Sequence, residues 1–258
     1  MITVVKVSGK PISDPHNAAE LWSDLATHAD DTVVVHGGGP QVDALLARLG
    51  GSSDRRRGIR LTSEQDMPIV AGVLAGHVNQ TLVGLLRSAG VRAVGLSLAS
   101  AGIVSAEVDT EFGGRVGRIS EVDGTTLRLL LKGGLTPVVA PIACESSGGL
   151  LNVNADDAAA GIARAIRADR VVLLTDVAGV HNAAGNIIDE IDTAVFEKAV
   201  QSGVIKDGMI AKIRSALSLA REVEGGVVIA SWRDASRVLR GEDGVGTRVV
   251  ADAAGGLR

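Results

Sequence analysis

His36-Gly37-Gly38-Gly39-Pro40 stands between a run of valines and a helical pattern. Glycines let a ligand approach the backbone closely, and a helix start leaves N–H groups free for an anion. Pro40 suits the first helical turn, where its missing N–H is no loss. The pattern is neither GxGxxG nor a Walker A loop, so it reads either as an anion site or as a tight strand-to-helix turn. Lys6 lies in the otherwise apolar run 2–7. A lysine there is costly to bury unless it is paired or faces a ligand, the alternative being a snorkelling edge residue. Both features fall at the carboxyl ends of strands, where open α/β sheets bind ligands. His36 sits at the same edge and reads as a hydrogen-bonded structural residue.

Two further clusters carry charge. Asn152-Val153-Asn154-Ala155-Asp156-Asp157 precedes an alanine-rich helical run. One of its side chains must cap that helix, which leaves others for ligand contacts. Asp207-Gly208-Met209-Ile210-Ala211-Lys212 opens another helix with a cap-like aspartate and places Lys212 near the positive helix end. A cation there opposes the macrodipole unless an anion compensates, a local conflict of the type found at functional sites.

The elements that must position these residues alternate. Apolar runs at 2–7, 32–35, 92–96, 137–140, 171–175 and 227–230 predict strands covered on both faces, hence a mostly parallel sheet. Helical patterns near 17–28, 40–49, 63–89, 124–133, 156–167 and 208–223 separate them, which predicts an α/β fold. Residues 102–121 read as an inserted hairpin around Gly113-Gly114. Thr62-x-x-Gln65 reads as a capping box for the long helix, and Pro68 as the site of a kink. The expected division is two lobes on one continuous sheet, 1–168 and 169–258.

Composition narrows the classes of function. The 258 residues are 46% hydrophobic and 22% charged, which excludes intrinsic disorder. A net charge of −4 and 2% aromatic content give neither the basic footprint nor the stacking surface of a nucleic-acid binder. Cys144, the single cysteine, reads as a small buried hydrophobe, and no Cys/His spacing suits zinc. No run of 18 apolar residues and no signal peptide are evident, so a cytoplasmic location without membrane attachment is expected.

Lys6-x-x-Gly9, HGGGP, Gly58-Ile59-Arg60-Leu61-Thr62, NVNAD, LLTDVAGV and DGMIAK occur in the order of the amino-acid kinase superfamily, and the late ASWRDA and GVGTRVV segments extend the match. Within it the chain resembles the acetylglutamate kinase family, which phosphorylates the γ-carboxylate of N-acetyl-L-glutamate in arginine biosynthesis. The resemblance implies a three-layer αβα sandwich with an N-terminal substrate lobe and a C-terminal ATP lobe. It implies that Lys6 and Lys212 stabilise the phosphoryl group in flight and that Asp156 holds both. It makes Gly38 and Gly39 backbone donors near the acceptor, Arg60 the reader of the α-carboxylate and Asn152 that of the acetylamino group. Gly9, Asp176, Val177, Ala178, Gly179, Val180, His181, Val204, Ile205 and Lys206 match positions that line the nucleotide site. ATP and Mg²⁺ are the implied co-substrate and ion, with no metal site built by the protein itself.

Such a reaction suits these residues. An ionised carboxylate acceptor needs no general base, and positioning with electrostatics carries phosphoryl transfer. Ser8 departs from the family's Lys-x-Gly-Gly, and Arg55-Arg56-Arg57 reads as a solvated loop flank rather than a second substrate site. The alternatives are a carrier-linked aminoadipate kinase of lysine biosynthesis or a non-catalytic sensor on the same fold. With only Met1 ahead of the first strand, an arginine-insensitive homodimer is expected, with Ile69, Val73, Leu74, Val78 and Leu82 at the contact.

Overall fold

A computed structural model of the chain describes residues 1–14 and 16–252. Its elements in chain order are β1 (Thr3–Val7), α1 (Gly9–Ser13), α2 (Ala19–Thr27), β2 (Thr32–His36), α3 (Gly39–Arg48), β3 (Arg55–Arg56), β4 (Ile59–Arg60), α4 (Met67–Ala71) and α5 (Asn79–Ser88). Then follow β5 (Ala93–Ser97), β6 (Val104–Val108), β7 (Val116–Val122), α6 (Thr125–Lys132), β8 (Thr136–Ala140), β9 (Ile142–Cys144), β10 (Leu150–Val153) and α7 (Ala155–Ile166). The last are β11 (Arg170–Thr175), β12 (Glu190–Ile191), α8 (Thr193–Gln201), α9 (Asp207–Ala220), β13 (Val227–Ser231), α10 (Ala235–Leu239) and β14 (Thr247–Val249).

Eight strands form one sheet in the order β12-β14-β13-β11-β1-β2-β8-β5. Every neighbour pair is parallel except β13 with β14. The alternation within each strand splits the core in two. Val4, Val33, Val35, Val171 and Leu173 face one layer with α7 and α9, whereas Val5, Val7, Val34, Val172 and Leu174 face the other with α2, α3 and the 67–88 helix. This is the expected three-layer αβα arrangement, and the six predicted strands fall within one residue of the observed ones. Period-2 geometry also fixes the side of Lys6, which shares the face of Val4 and so points toward α7.

The hairpin β6–β7 forms as expected, but in a second sheet of order β6-β7-β10-β9 rather than as a free insertion. Three readings change. The capping pair at residue 63 is Ser63 with Asp66, because the Asp66 amide donates to Ser63 Oγ at 3.1 Å and Ser63 Oγ to Asp66 Oδ2 at 2.6 Å. Thr62 is turned instead toward Asn152. Pro68 lies in the first turn, where it removes no helical bond, and the irregularity comes later as a π segment over Gly72–Val78. Cys144 is half-buried rather than buried. The continuous helix Met67–Ser88 is long and apolar enough to cross a membrane, with hydropathy 1.6, yet half of that window is buried in the fold. It therefore reads as a core helix. The side chain of Asp207, the expected cap of α9, and residues 253–258 of the expected second lobe lie outside the described residues.

Candidate active site

Asp156 stands in the first turn of α7, whose cap is Asn154. The Asn154 carboxamide oxygen accepts from the Asp156 amide at 2.8 Å and the Asp157 amide at 3.3 Å. The cap and the helix dipole thus settle a carboxylate beside the sheet face on which Lys6 emerges. Lys6 Nζ lies 2.9 Å from Asp156 Oδ1. Lys212, in the second turn of α9, donates to Asp156 Oδ2 at 2.6 Å. All three side chains are at most 17% exposed. Burial works to raise the Asp156 carboxyl, but the two ammonium charges outweigh it and hold the group far below the ordinary carboxylate range. Burial and the charge of Lys6 push the Lys212 ammonium down, with Asp156 opposing. Two lysines sharing one carboxylate concentrate positive charge at the carboxyl end of the central strand β1, with Asp176 acting on Lys212 from further off.

The triple glycine is built beside it. The Gly37 amide donates to Val7 O at 2.8 Å, and His36 Nδ1 meets Gly37 O at 2.7 Å. Asn79, at the end of the π segment, holds the other face of that imidazole, with Nδ2 3.1 Å from Nε2. His36 is fully buried, and desolvation lowers its pKa to about 4, partly offset by the bond to Gly37. The ring is therefore neutral near pH 7, donating from Nδ1 and accepting at Nε2. A side chain on Gly38 would have to displace Leu74 of the π segment, since a Cβ would lie 2.5 Å from Leu74 Cδ2. Gly9 is confined in the same way against Pro40, at 2.8 Å. Among the described residues the Gly38 and Gly39 amides have no protein acceptor. Together they form a small donor cradle.

A cavity of about 260 Å³ opens there, lined by Gly38, Gly39, Arg55, Arg60 and Asn152 among others. Arg60 is buried; its NH2 lies 2.7 Å from Asp43 Oδ1 and donates to Gly39 O at 3.1 Å, while NH1 donates to Ser53 Oγ. Asn152 Nδ2 donates to Thr62 Oγ1 at 3.0 Å. A larger cavity of about 860 Å³ lies along β7, α7 and α9, but it contains neither lysine nor Asp156.

The structure thus brings Lys6, Asp156 and Lys212 together, and Gly38, Gly39, Arg60 and Asn152 around one cavity. Of the other predicted residues, Gly9 lies against Pro40 of the glycine turn, residues 176–181 follow β11 and residues 204–206 precede α9. Asp176 pairs with Lys10 at 2.9 Å, and its charge also reaches Lys212. The Val180 and Ile205 side chains are buried, and the Val180 amide is taken by Thr247 Oγ1 at 2.7 Å. A Cβ on Gly179 would meet Ile187 and Thr247 at 2.8 Å. His181 bridges to Ile187, and Lys206 precedes α9. Sequence reasoning missed Asp43, which holds Arg55 and Arg60, and Asn79. Asp43 follows the glycine turn by one helical turn, but nothing in its neighbours signals the partners.

Residues 1–231 match the amino acid kinase family. The acetylglutamate kinase of Shewanella sp. (strain W3-18-1) is 38% identical over 254 residues, covering 96% of this chain and 97% of its own. A solved structure from Streptococcus mutans UA159 superposes with a TM-score of 0.82 at 28% identity, covering 97% of this chain and 99% of that one. The carbamate kinase from Giardia lamblia bound to AMP-PNP shares the fold at a TM-score of 0.69 and 16% identity, covering 97% and 98%. The chain belongs to the amino acid kinase family, and acetylglutamate kinases are relatives that it matches over nearly its whole length.

Proposed function

We propose that the chain transfers the γ-phosphoryl group of ATP to the γ-carboxylate of N-acetyl-L-glutamate, giving N-acetyl-L-glutamyl 5-phosphate for arginine biosynthesis in the cytoplasm. The observation that carries this reading is the buried carboxylate of Asp156 gripping Lys6 from β1 and Lys212 from α9, 2.9 and 2.6 Å away. The acceptor is already ionised, so a carboxylate oxygen forms the new O–P bond as the bond to the ADP oxygen breaks, and no proton moves. Both reactants are anions. Lys6 and Lys212 offset the charge on the transferring group, and the Gly38 and Gly39 amides donate to it from the neighbouring turn. Asp156 is a positioning residue that keeps both ammonium groups charged and aimed.

Arg60 reads the α-carboxylate and Asn152 the acetylamino group at the 260 Å³ cavity. Residues 1–168 then supply acceptor binding. The segment 169–258 supplies the nucleotide side, through the backbone of 176–181 and 204–206 together with Gly9, since Val180 and Ile205 use their side chains in the core. Mg²⁺ supplies further neutralisation of the phosphates and would arrive on them. Asp156 and Asp176, the acids nearest the lysines, are already engaged by ammonium groups.

The homodimer rests on less apolar surface than the helical pattern suggested. Val73, Leu74, Val78 and Leu82 are buried within the chain, and of the expected set only Ile69 remains half-exposed. It borders an apolar groove of about 610 Å³ with Leu45 and Gly72, which a second copy would cover. Light scattering tests the dimer; a monomer at micromolar concentration contradicts it.

Trapping acyl phosphate with hydroxylamine tests the reaction. ATP-dependent hydroxamate from N-acetyl-L-glutamate, and none from glutamate or aminoadipate, supports the assignment. Folded protein inactive on all three contradicts it.

A further inference from the structure

The three consecutive arginines at 55–57 do not behave alike. Arg56 stacks over Phe112 at 4.6 Å and donates to Glu111 O, and Arg57 pairs with the Glu111 carboxylate at 2.7 Å. Both tie β3 to the 109–115 turn. Arg55 turns the other way, into the acceptor cavity. Its NH2 lies 2.9 Å from Asp43 Oδ2, and a Cβ on Gly39 would sit 2.9 Å from that same nitrogen. Asp43 therefore holds two guanidinium groups, Arg60 through Oδ1 and Arg55 through Oδ2, over the glycine turn. Ser53 Oγ also donates to Oδ1, at 2.5 Å.

The two arginines differ in what they have left to give. Arg60 already gives three of its five N–H donors to Asp43, Gly39 O and Ser53. Among the described residues Arg55 has Asp43 as its only hydrogen-bonding partner, so most of its five N–H donors stay unengaged. Among the described residues Asp43 is the only carboxylate within ion-pair distance of either guanidinium, with Asp66 acting on Arg60 from further off, so positive charge is concentrated beside the cavity. We propose that Arg55 is a second binding residue for the α-carboxylate of the acceptor, with Asp43 positioning it beside Arg60. The substrate carboxylate then completes a two-anion, two-cation square, each arginine facing one of its oxygens. This inference rests on the proposed acceptor being an acyl amino acid with a free α-carboxylate.

The test compares wild type, R55M, R55K and R57M with two acceptors, N-acetyl-L-glutamate and its α-amide, N-acetyl-L-isoglutamine. The amide keeps the γ-carboxylate and lacks the α charge. Steady-state kinetics are read alongside calorimetric binding without ATP. We expect R55M to raise KM and Kd for the acid by about 10- to 100-fold, with kcat and the KM for ATP unchanged. For the amide R55M should match wild type, R55K should recover part of the loss, and R57M should resemble wild type on both acceptors. An R55M effect that is equal on acid and amide, or absent on the acid, overturns the assignment while leaving the kinase reading intact. Wild-type protein that neither binds nor phosphorylates N-acetyl-L-glutamate overturns both.

Discussion

Two carboxylates in this molecule each hold two cations beside the triple-glycine turn, and they do so at different depths. Asp156 is 17% exposed and grips two lysines that are 10% and 16% exposed. Asp43 is 38% exposed and grips one buried arginine and one that is 38% exposed. Depth decides what each can do. Around Asp156 burial limits how far water can replace a lost partner, which suits the proposed role of fixed charges acting on the bond-making step. Around Asp43 one guanidinium keeps free donors and solvent access, which suits reading an incoming carboxylate. On the proposed function, lysine and arginine divide along the same line, point charges for a spreading phosphoryl charge and planar forks for a carboxylate.

The largest expected effect comes from uncoupling the buried trio. D156N should lower kcat by at least about 10³-fold and destabilise the fold by about 3–5 kcal/mol, because two ammonium groups then face each other without an anion. Turnover and urea denaturation check it, and a stable, active D156N would break the contrast. K212A removes one transition-state donor, so kcat should fall about 10²–10³-fold with acceptor KM changing little in rapid-quench or steady-state assays. R60K belongs to the other cluster and should do the reverse, raising acceptor KM about tenfold at nearly constant kcat.

The smallest effect probes the histidine that fixes Gly37. The folded chain protonates His36 only near pH 4, whereas the unfolded chain does so near 6.5. Below 6.5 the unfolded state binds more protons, so stability falls with pH through that window and the contribution is intact above it. Wild type should lose about 1.5 kcal/mol between pH 6.5 and 5 relative to H36N, measured by urea unfolding at each pH. Equal slopes would mean that His36 is not the titrating group.

The buried parts of this account could be read from the chain, and the shallow parts could not. The runs at 32–35 and 171–175 announce themselves because strands covered on both faces are apolar throughout, and Lys6 stands out against such a run. β12 and β14 have two and three residues, too few to show a period, and both close the sheet edge. α8 begins with a cap that is legible in the sequence, Asp192 accepting from the Val195 amide at 2.8 Å. Leu74 and Val78 of the π segment close on Gly38, a tertiary contact that no local pattern encodes. Asp43 escaped for the same reason. Its partners lie 12 and 17 residues away across a loop, and an aspartate on a helix exterior looks like any other solvated acid. Likewise Arg55 was indistinguishable from Arg56 and Arg57 until the backbone of β3 turned one of them toward the cavity.

The division of labour between the two carboxylates is tested most directly by measuring kcat and acceptor KM for D156N and D43N in parallel, with N-acetyl-L-glutamate and saturating ATP. D156N should lose kcat by orders of magnitude, whereas D43N should keep kcat within about threefold and raise KM about 5- to 20-fold, in line with a partly exposed pair. A D43N enzyme crippled in kcat, or a D156N enzyme altered only in KM, would contradict it.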